Sequence, residues 1–251
     1  MKHLLPIAIA VCTGLLLTAC QQPDANNAGA APVEETPAQA PDTDQQGQEN
    51  SGSSGLSRVL QANAIGATKA FLERSLGLST YETEYEASYL VDGCNVTLGL
   101  NGNSVDSVSI ALAPGCRFDM AALAGSPQPL VIDGVIRFSQ FEAFFGQARY
   151  TSPCLAMCGN AYDPYVDAVV QGARVDDFID IAAQVLFVGD AAVEAASVWR
   201  DQLTATAGEE YVLTTQFNCD ARHNEIPRAA FADVTVETIQ FGRDLGTRDC
   251  Q

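Results

Sequence analysis

Residues 80–112 read TYETEYEASYLVDGCNVTLGLNGNSVDSVSIAL, and this stretch decides the fold class. From Thr80 to Val91, aromatic and small residues alternate with glutamates, which is the period-two pattern of a half-buried β-strand. Two more apolar runs, Cys94–Leu100 and Val105–Leu112, flank Asn101-Gly102-Asn103-Ser104. Asn-Gly between two such runs is typical of a hairpin turn. We therefore predict two or three strands of a β-meander here.

The rest of the chain predicts helices on both sides of this stretch and two more strands near the end. The predicted helices are Leu56–Leu76, Ser139–Phe145, one opening at Asp163-Pro164, one capped by Asp176 or Asp177 and ending near Val188, one from Gly189-Asp190 to about Ala205, and Ile226–Phe231. The predicted strands are Tyr211–Asn218 and Val234–Phe241. The fold class is therefore α+β: a small antiparallel or mixed sheet packed with several helices and crosslinked by disulfides.

The N-terminus has the layout of a secretory signal peptide. Lys2 gives a basic start, Leu4–Leu17 is an apolar run, and the small residue Ala19 precedes Cys20. The apolar run is shorter than the ~20 residues that a membrane-spanning helix needs. We therefore predict that the chain is exported.

Leu17-Thr18-Ala19-Cys20 resembles the lipobox of bacterial lipoproteins. The resemblance is limited to residues 1–20. It implies cleavage before Cys20, a diacylglyceryl group on the sulfur of that residue, and an acyl chain on the new N-terminus. Gln21 follows the cysteine, and in Gram-negative bacteria this implies delivery to the outer membrane. Two or three acyl chains make a lasting anchor.

Composition divides the chain into three parts. Residues 1–19 are the predicted signal peptide. Residues 20–55 are the lipidated cysteine and a tether that carries six acids and no base. Such a segment is expected to stay disordered, because it has too little apolar surface to offset the entropy of ordering. Residues 56–251 are predicted to form a single globular α+β domain.

Six cysteines follow residue 20, and an even number in an exported protein indicates disulfides. Six cysteines allow fifteen pairings. Proximity along the chain and across the hairpin favours Cys94–Cys116, Cys154–Cys158 and Cys219–Cys250. A Cys219–Cys250 bond would also bring the ends of the last two predicted strands together, which favours a parallel pair.

The charge of the chain is strongly acidic, with 31 acidic and 13 basic residues and a net charge of −18. Such a surface repels nucleic acid and favours cationic partners. In the predicted strand Thr80–Val91, Glu82, Glu84 and Glu86 fall on one face, about 6.7 Å apart at ~3.3 Å rise per residue. This row is either a solvated face that prevents aggregation or the binding surface for a basic protein.

The sequence contains no recognisable catalytic or cofactor motif. His223 is the one histidine after the signal peptide, and no G-x-S-x-G, H-E-x-x-H or glycine-rich phosphate loop is present. Cys154 and Cys158 with Met157 are an alternative soft-metal site, for Cu(I), in place of a disulfide. Two acidic groups are weak calcium candidates that helix capping explains as well: Asn160, Asp163 and Asp167, and Asp176, Asp177 and Asp180. We predict no catalytic residue, metal or cofactor.

These features favour a membrane-anchored envelope lipoprotein that acts as a protein-binding or inhibitor module. Lipoproteins that inhibit cationic enzymes such as lysozyme share this general plan, as an analogy of class only. The first alternative is a structural or assembly lipoprotein of the envelope. The least favoured interpretation is an enzyme that uses paired carboxylates, because nothing in the sequence selects a pair. The predicted partners are the membrane, through the lipid on Cys20, and a basic protein.

The predicted anchor is tested by the substitution Cys20→Ala. We expect an unprocessed precursor that carries no lipid, since both lipid attachment and cleavage require the cysteine. Mass spectrometry of the intact protein measures both. An identical, unmodified mature N-terminus in the wild type and the variant would contradict the prediction.

Overall fold

An antiparallel sheet of eight strands is the main element of the structure. The computed structural model describes residues 55–159, 163–174, 178–214 and 216–245. The sheet strands are β1 Tyr81–Glu82, β2 Glu86–Val91, β3 Cys94–Asn101, β4 Ser104–Ala111, β7 Arg149–Thr151, β8 Tyr165–Arg174, β9 Ile179–Leu186 and β10 Thr238–Gly242. A separate small sheet pairs β5 Arg117–Asp119 with β6 Val131–Asp133. The helices are α1 Gly55–Val59, α2 Lys69–Leu76, α3 Phe138–Phe145, α4 Asp190–Ala207, α5 Glu209–Leu213 and α6 Glu225–Phe231.

The large sheet consists of two meanders joined by the last strand. Its order is β1-β2-β3-β4-β10-β9-β8-β7, and neighbouring strands are antiparallel throughout. Strand β10 pairs with β4 on one side and with β9 on the other. The expectation of an α+β fold built on an antiparallel sheet is confirmed.

One face of the sheet forms the core. Residues paired directly across strands point to the same face. One such row crosses seven strands and is at most 2 % exposed: Tyr89, Val96, Ile110, Ile239, Ala183, Ala168 and Tyr150. The neighbouring row on the opposite face begins with the partly exposed polar residues Ser88, Thr97, Ser109 and Gln240. The helices therefore pack on the face that carries the apolar row.

Aromatic rings fill the space between the sheet and the helices of the second half. The fully buried ring of Phe231 lies 5.8 Å from the ring of Phe138 and 6.2 Å from that of Trp199, centroid to centroid. Both contacts are edge-on, the arrangement that the ring quadrupoles favour. Helices α3, α4 and α6 are thereby held against the same part of the sheet. Among the described residues, no helix combines the length and the apolar character needed to cross a bilayer.

Side-chain amides bond outward-facing backbone groups within and on both sides of the edge strand β7. Asn224 accepts a hydrogen bond from the Tyr150 N–H (2.8 Å) and donates one to the Ala148 carbonyl (2.8 Å). Asn218 accepts from the Ser152 N–H (2.9 Å) and donates to the Ser152 carbonyl (2.7 Å). These amides replace a neighbouring strand and satisfy groups that an open edge would leave free to pair with another chain.

Two of the predicted disulfides are confirmed. Cys94 bonds Cys116 with a Cα–Cα distance of 4.7 Å, and Cys154 bonds Cys158 at 5.5 Å. The hairpin explains the first bond, because Asn95 lies opposite Ala111 and brings Cys94 near the residues that follow β4. Cys219 is also disulfide-bonded. Its predicted partner Cys250 lies outside the described residues, so this pairing stays a prediction.

The hairpin at Asn101–Ser104 is confirmed, but the single strand Thr80–Val91 is wrong. Strand β1 folds back antiparallel on β2, with Tyr81 opposite Ser88 and Glu82 opposite Ala87. The turn closes because the Thr83 hydroxyl accepts hydrogen bonds from the backbone N–H groups of Tyr85 and Glu86. Period-two alternation continues through both arms of a hairpin, so the pattern does not reveal the reversal.

The predicted helix Leu56–Leu76 is also interrupted. Helix α1 ends at Val59, a short 3₁₀ turn covers Ala62–Ala64, and α2 begins only at Lys69. Thr68 caps α2 by accepting a hydrogen bond from the Phe71 N–H at 3.3 Å. The helix ends before Gly77, as predicted, and Gly77 has a φ of 84°.

Three further assignments in the second half are wrong. The segment expected to be a helix from Asp163-Pro164 is strand β8, and the helix expected to end near Val188 is strand β9. The residues predicted to cap the second of these helices, Asp176 and Asp177, lie outside the described residues. The expected strand Tyr211–Asn218 is instead α5 followed by a 3₁₀ turn over Gln216–Cys219. The parallel pair is therefore wrong as well, since both neighbours of β10 are antiparallel.

The hydrogen bonds from the Asn218 side chain to the backbone beside β7 are tested by Asn218→Ala. Asn218 and Ser152 are both 0 % exposed, so the variant leaves a buried N–H and a buried carbonyl without partners. At ~1–3 kcal/mol for each of the two groups, we expect a loss of about 2–6 kcal/mol in the free energy of unfolding. Urea unfolding with the disulfides intact measures it. Asn95→Ala, at an exposed position, is the matched control and should change stability by less than ~0.5 kcal/mol. Equal effects of the two substitutions would show that the Asn218 hydrogen bonds do not stabilise the protein.

Candidate binding groove

Two turns lie side by side at one end of the sheet. The β1–β2 turn contains Thr83 to Tyr85, and the β3–β4 turn contains Gly102, whose φ of 61° suits glycine. The Tyr85 carbonyl accepts a hydrogen bond from the Leu100 N–H at 2.7 Å, which joins the first turn to the strand that leads into the second. The side chains of both turns therefore border the same space.

This space is a trough of about 560 Å³, which we call the acidic trough. Its described lining residues are Lys69, Glu82, Thr83, Glu84, Tyr85, Leu100, Asn101, Gly102, Asn103 and Asp106. Three carboxylates against one ammonium give this lining a net charge of −2. Tyr85 is 70 % exposed, so its ring is available to a ligand.

A clasp of opposite charges connects α2 to β1 at the wall of the acidic trough. The Lys69 ammonium lies 3.3 Å from the Glu73 carboxylate and donates a hydrogen bond to Glu82. Ser79 donates to the second carboxylate oxygen of Glu82 at 3.2 Å, and the Tyr89 hydroxyl donates to Glu73 at 3.2 Å. The clasp thus ties the short edge strand to the helix layer.

The clasp changes the ionisation of its members. The hydrogen bond between Lys69 and Glu82 raises the pKa of the lysine above its usual value and lowers the pKa of Glu82. The pKa of Tyr89 is raised, first by burial and then by the nearby Glu73 carboxylate. Lys69 and Glu82 therefore both stay charged over a wide pH range.

The three glutamates predicted to form one row lie in different places. Glu82 and Glu84 line the acidic trough, whereas Glu86 is not among its lining residues. Glu86 lies opposite Gly99 on the polar face of the sheet, because its neighbour Ala87 points into the core. The prediction that the three glutamates form one row is therefore wrong, although Glu82 and Glu84 both line the acidic trough.

The acidic trough continues along the end of the sheet. A second depression of about 530 Å³ shares Asn101 and Asp106 with it, and a third of about 560 Å³ shares Ile65 and Arg243 with the second. The segment before α2 shapes this wall: Gly66 donates to the Val105 carbonyl at 2.7 Å, and Val105 donates to the Ala67 carbonyl at 2.8 Å. We call the three depressions together the groove.

The sequence pattern does not assign Lys69, Asp106 and Arg243 to a common site. These residues come from α2, β4 and the end of β10, and they meet only because the strands place them there. No local spacing pattern signals such a meeting. The sole usable signal in the sequence was Lys69 itself, the one lysine that follows the signal peptide.

The side chains of His223, Asp167 and Asp180 are engaged in contacts within the fold. The His223 ring packs edge-on against Tyr211, with centroids 5.8 Å apart. Asp167 accepts a hydrogen bond from Gln184 (2.9 Å), and Asp180 accepts one from the Gly172 N–H (3.0 Å). Within the described ranges, no three His, Cys, Asp or Glu side chains are grouped so as to hold a metal ion. The other candidates Asn160, Asp176 and Asp177 lie outside those ranges.

The loop closed by Cys154 and Cys158 presents Met157 to solvent. Met157 is 89 % exposed and has a φ of 56°. The alternative Cu(I) site requires two free thiolates, whereas here both sulfurs are in a disulfide. The loop is thus a crosslinked turn with an apolar tip.

Comparisons with protein-family models, with curated proteins and with solved structures gave no match to this chain. The function is therefore argued from the geometry and charge of the groove.

The clasp predicts a pH-dependent difference between the wild type and Glu82→Gln. Because the pKa of Glu82 is lowered in the folded protein, its stabilisation is complete above the ordinary pKa of 4.5 and is lost as the pH falls through the lowered value. We expect the variant to have a lower urea midpoint at pH 7 and the same midpoint as the wild type in strong acid. Glu84→Gln is the control and should show no such convergence. Parallel curves for Glu82→Gln and the wild type would contradict the clasp.

Proposed function

We propose that this protein is a membrane-anchored binding module that captures a basic protein in the groove. The observation that carries the proposal is the acidic trough, which combines a net charge of −2 with an exposed tyrosine ring between two turns. Glu84 supports it most directly, because its exposed carboxylate has no side-chain partner within the described parts of the chain. A ligand ammonium or guanidinium would provide that partner.

The charge of the whole chain favours encounter with such a ligand. A net charge of −18 attracts cationic proteins over a distance set by the ionic strength, with a Debye length of ~8 Å at physiological salt. Electrostatic attraction of this kind raises the association rate more than it slows dissociation. Binding is therefore expected to weaken as salt is added.

The aromatic residues of the β1–β2 hairpin add short-range attraction. Tyr85 is 70 % exposed and Tyr81 56 %. A cation over the face of an exposed tyrosine gains ~0.5–1 kcal/mol, and nearby carboxylates strengthen the preference for arginine or lysine. The Tyr85 ring, which lines the trough, therefore adds attraction for a cationic side chain held there.

The edges of the sheet disfavour the other common way of capturing a protein segment, which is the addition of a strand. Strand β1 has two residues. At β7 the Tyr150 N–H is bonded to Asn224, and just after it both backbone groups of Ser152 are bonded to Asn218. Within the part of the chain that the structure describes, neither edge offers a long run of free backbone groups. We therefore place recognition in the groove at the end of the sheet.

The proposal also includes a lipid on Cys20 that anchors the protein to the membrane. A tether of ~35 residues with a root-mean-square reach on the order of 30–35 Å would hold the domain near the membrane while the groove stays accessible. An inhibitor of a cationic enzyme and an assembly factor both fit this arrangement, and the nature of the captured partner separates them.

The proposal is tested by capture from solubilised envelopes of the producing cells, with the mature lipidated protein as bait. Glu84→Lys reverses one trough charge, and the matched control Glu194→Lys makes the same change at an exposed position on α4. We expect a basic partner that the wild type and Glu194→Lys retain and that Glu84→Lys loses. With the purified partner, Glu84→Lys should lower the association rate about tenfold at low salt, and added salt should reduce the difference.

Two outcomes would overturn the proposal. One is a partner that both variants retain equally. The other is an affinity that responds neither to salt nor to Glu84→Lys. A soluble basic partner would favour an inhibitor, and a stable complex with envelope proteins would favour assembly.

A further inference from the structure

The two ends of the groove differ in charge. The carboxylates of Glu82 and Glu84 line only the acidic trough, Arg243 lines the second and third depressions, and Asp106 lies where the trough meets the second depression. Arg243 is exposed and has no ion-pair partner among the residues that the structure describes. In a chain with so few basic residues, an unpaired arginine inside the groove is a second recognition element, of the opposite sign to the first.

The lining of the groove also includes polar side chains without partners. The side chains of Asn63, Asn101, Asn103 and Ser104 form no hydrogen bond with the described residues, although all four line the groove. Amides and hydroxyls can donate to or accept from the backbone groups of an extended peptide. Small molecules prefer deeper and more apolar pockets, so a polypeptide segment is the better match for this lining.

We propose, on the basis of the function above, that the groove binds an extended segment carrying both signs of charge. A cationic side chain of the partner lies in the acidic trough, between Glu84 and Tyr85. A carboxylate farther along the segment pairs with the Arg243 guanidinium, which can hold it with two parallel hydrogen bonds. The intervening peptide groups lie against the polar lining. The partner is therefore recognised by the distance between two opposite charges and not by basicity alone.

Synthetic peptides of about six to twelve residues, blocked at both ends and labelled with an uncharged dye, provide the probe. One series carries two lysines and two glutamates separated by Gly-Ser spacers of about two, four, six and eight residues, at ~3.3 Å per extended residue. The second series has the glutamates replaced by glutamine. Fluorescence anisotropy with the full mature lipoprotein in neutral detergent micelles gives the affinity of each peptide.

We expect the mixed-charge peptide of one best spacer length to bind about three- to tenfold more tightly than its glutamine counterpart. Arg243→Gln should remove this advantage, so that the mixed-charge peptide and its glutamine counterpart bind the variant equally well. Glu84→Lys should weaken both series. Circular dichroism and the urea midpoint show whether each variant is folded.

The possible failures are distinct. If the lysine-only peptides bind no better than a neutral peptide, or if Glu84→Lys does not affect them, the proposed function itself is wrong. If they bind as expected but the glutamates add nothing at any spacer length, the proposed function survives and the mixed-charge ligand is refuted. An advantage that persists in Arg243→Gln would equally refute the role of the arginine.

Discussion

Strand β10 must pair along both of its edges, and the rest of the structure depends on this double pairing. Its residues lie opposite Ser107–Ala111 of β4 and opposite Asp180–Gln184 of β9, so two meanders become one sheet only when the last strand is in place. Ile239 and Phe241 are fully buried in the core that results. A Cβ atom at Gly242 would lie 2.8 Å from the Asp106 carbonyl oxygen, so the close approach of β10 to β4 requires glycine there.

The groove is a consequence of that pairing. Beyond Gly242 the chain leaves the sheet, and the segment Gly66–Lys69 lies beside the first residues of β4. The end of β10 therefore places Arg243 beside Gly66. Residues from the first and the last described parts of the domain meet at this end of the sheet, where the two hairpin turns also project.

The parts of the fold with a local cause could be predicted from the sequence. The Asn-Gly turn, the start of α4 at Asp190 and the Cys94–Cys116 bond are all determined by residues close together in the chain or across one hairpin. Strand β9 could not be predicted, because Ala182 is buried on the face opposite Ile181. A strand covered on both faces loses the alternation that identifies strands, and its alanines favour a helix.

The same contrast applies to the site. The alternation around Glu82 and Glu84 predicts a single strand, whereas the structure brings the two side chains to one trough through the turn at Thr83. Lys69, Asp106 and Arg243 had no local signal, because only the sheet brings them to one groove. Residues that meet through non-local pairing leave no periodicity in a single sequence.

The Lys69 clasp has a consequence for how this domain can be handled. Lys69 is the one lysine after the signal peptide, and its amine is held between two carboxylates with a raised pKa. Reagents that acylate amines attack the neutral form, which is scarce here. Amine-directed dyes, biotin esters and lysine crosslinkers will therefore label the folded domain poorly, and they will disrupt the clasp where they succeed. Attachment through an engineered cysteine away from the groove avoids both effects.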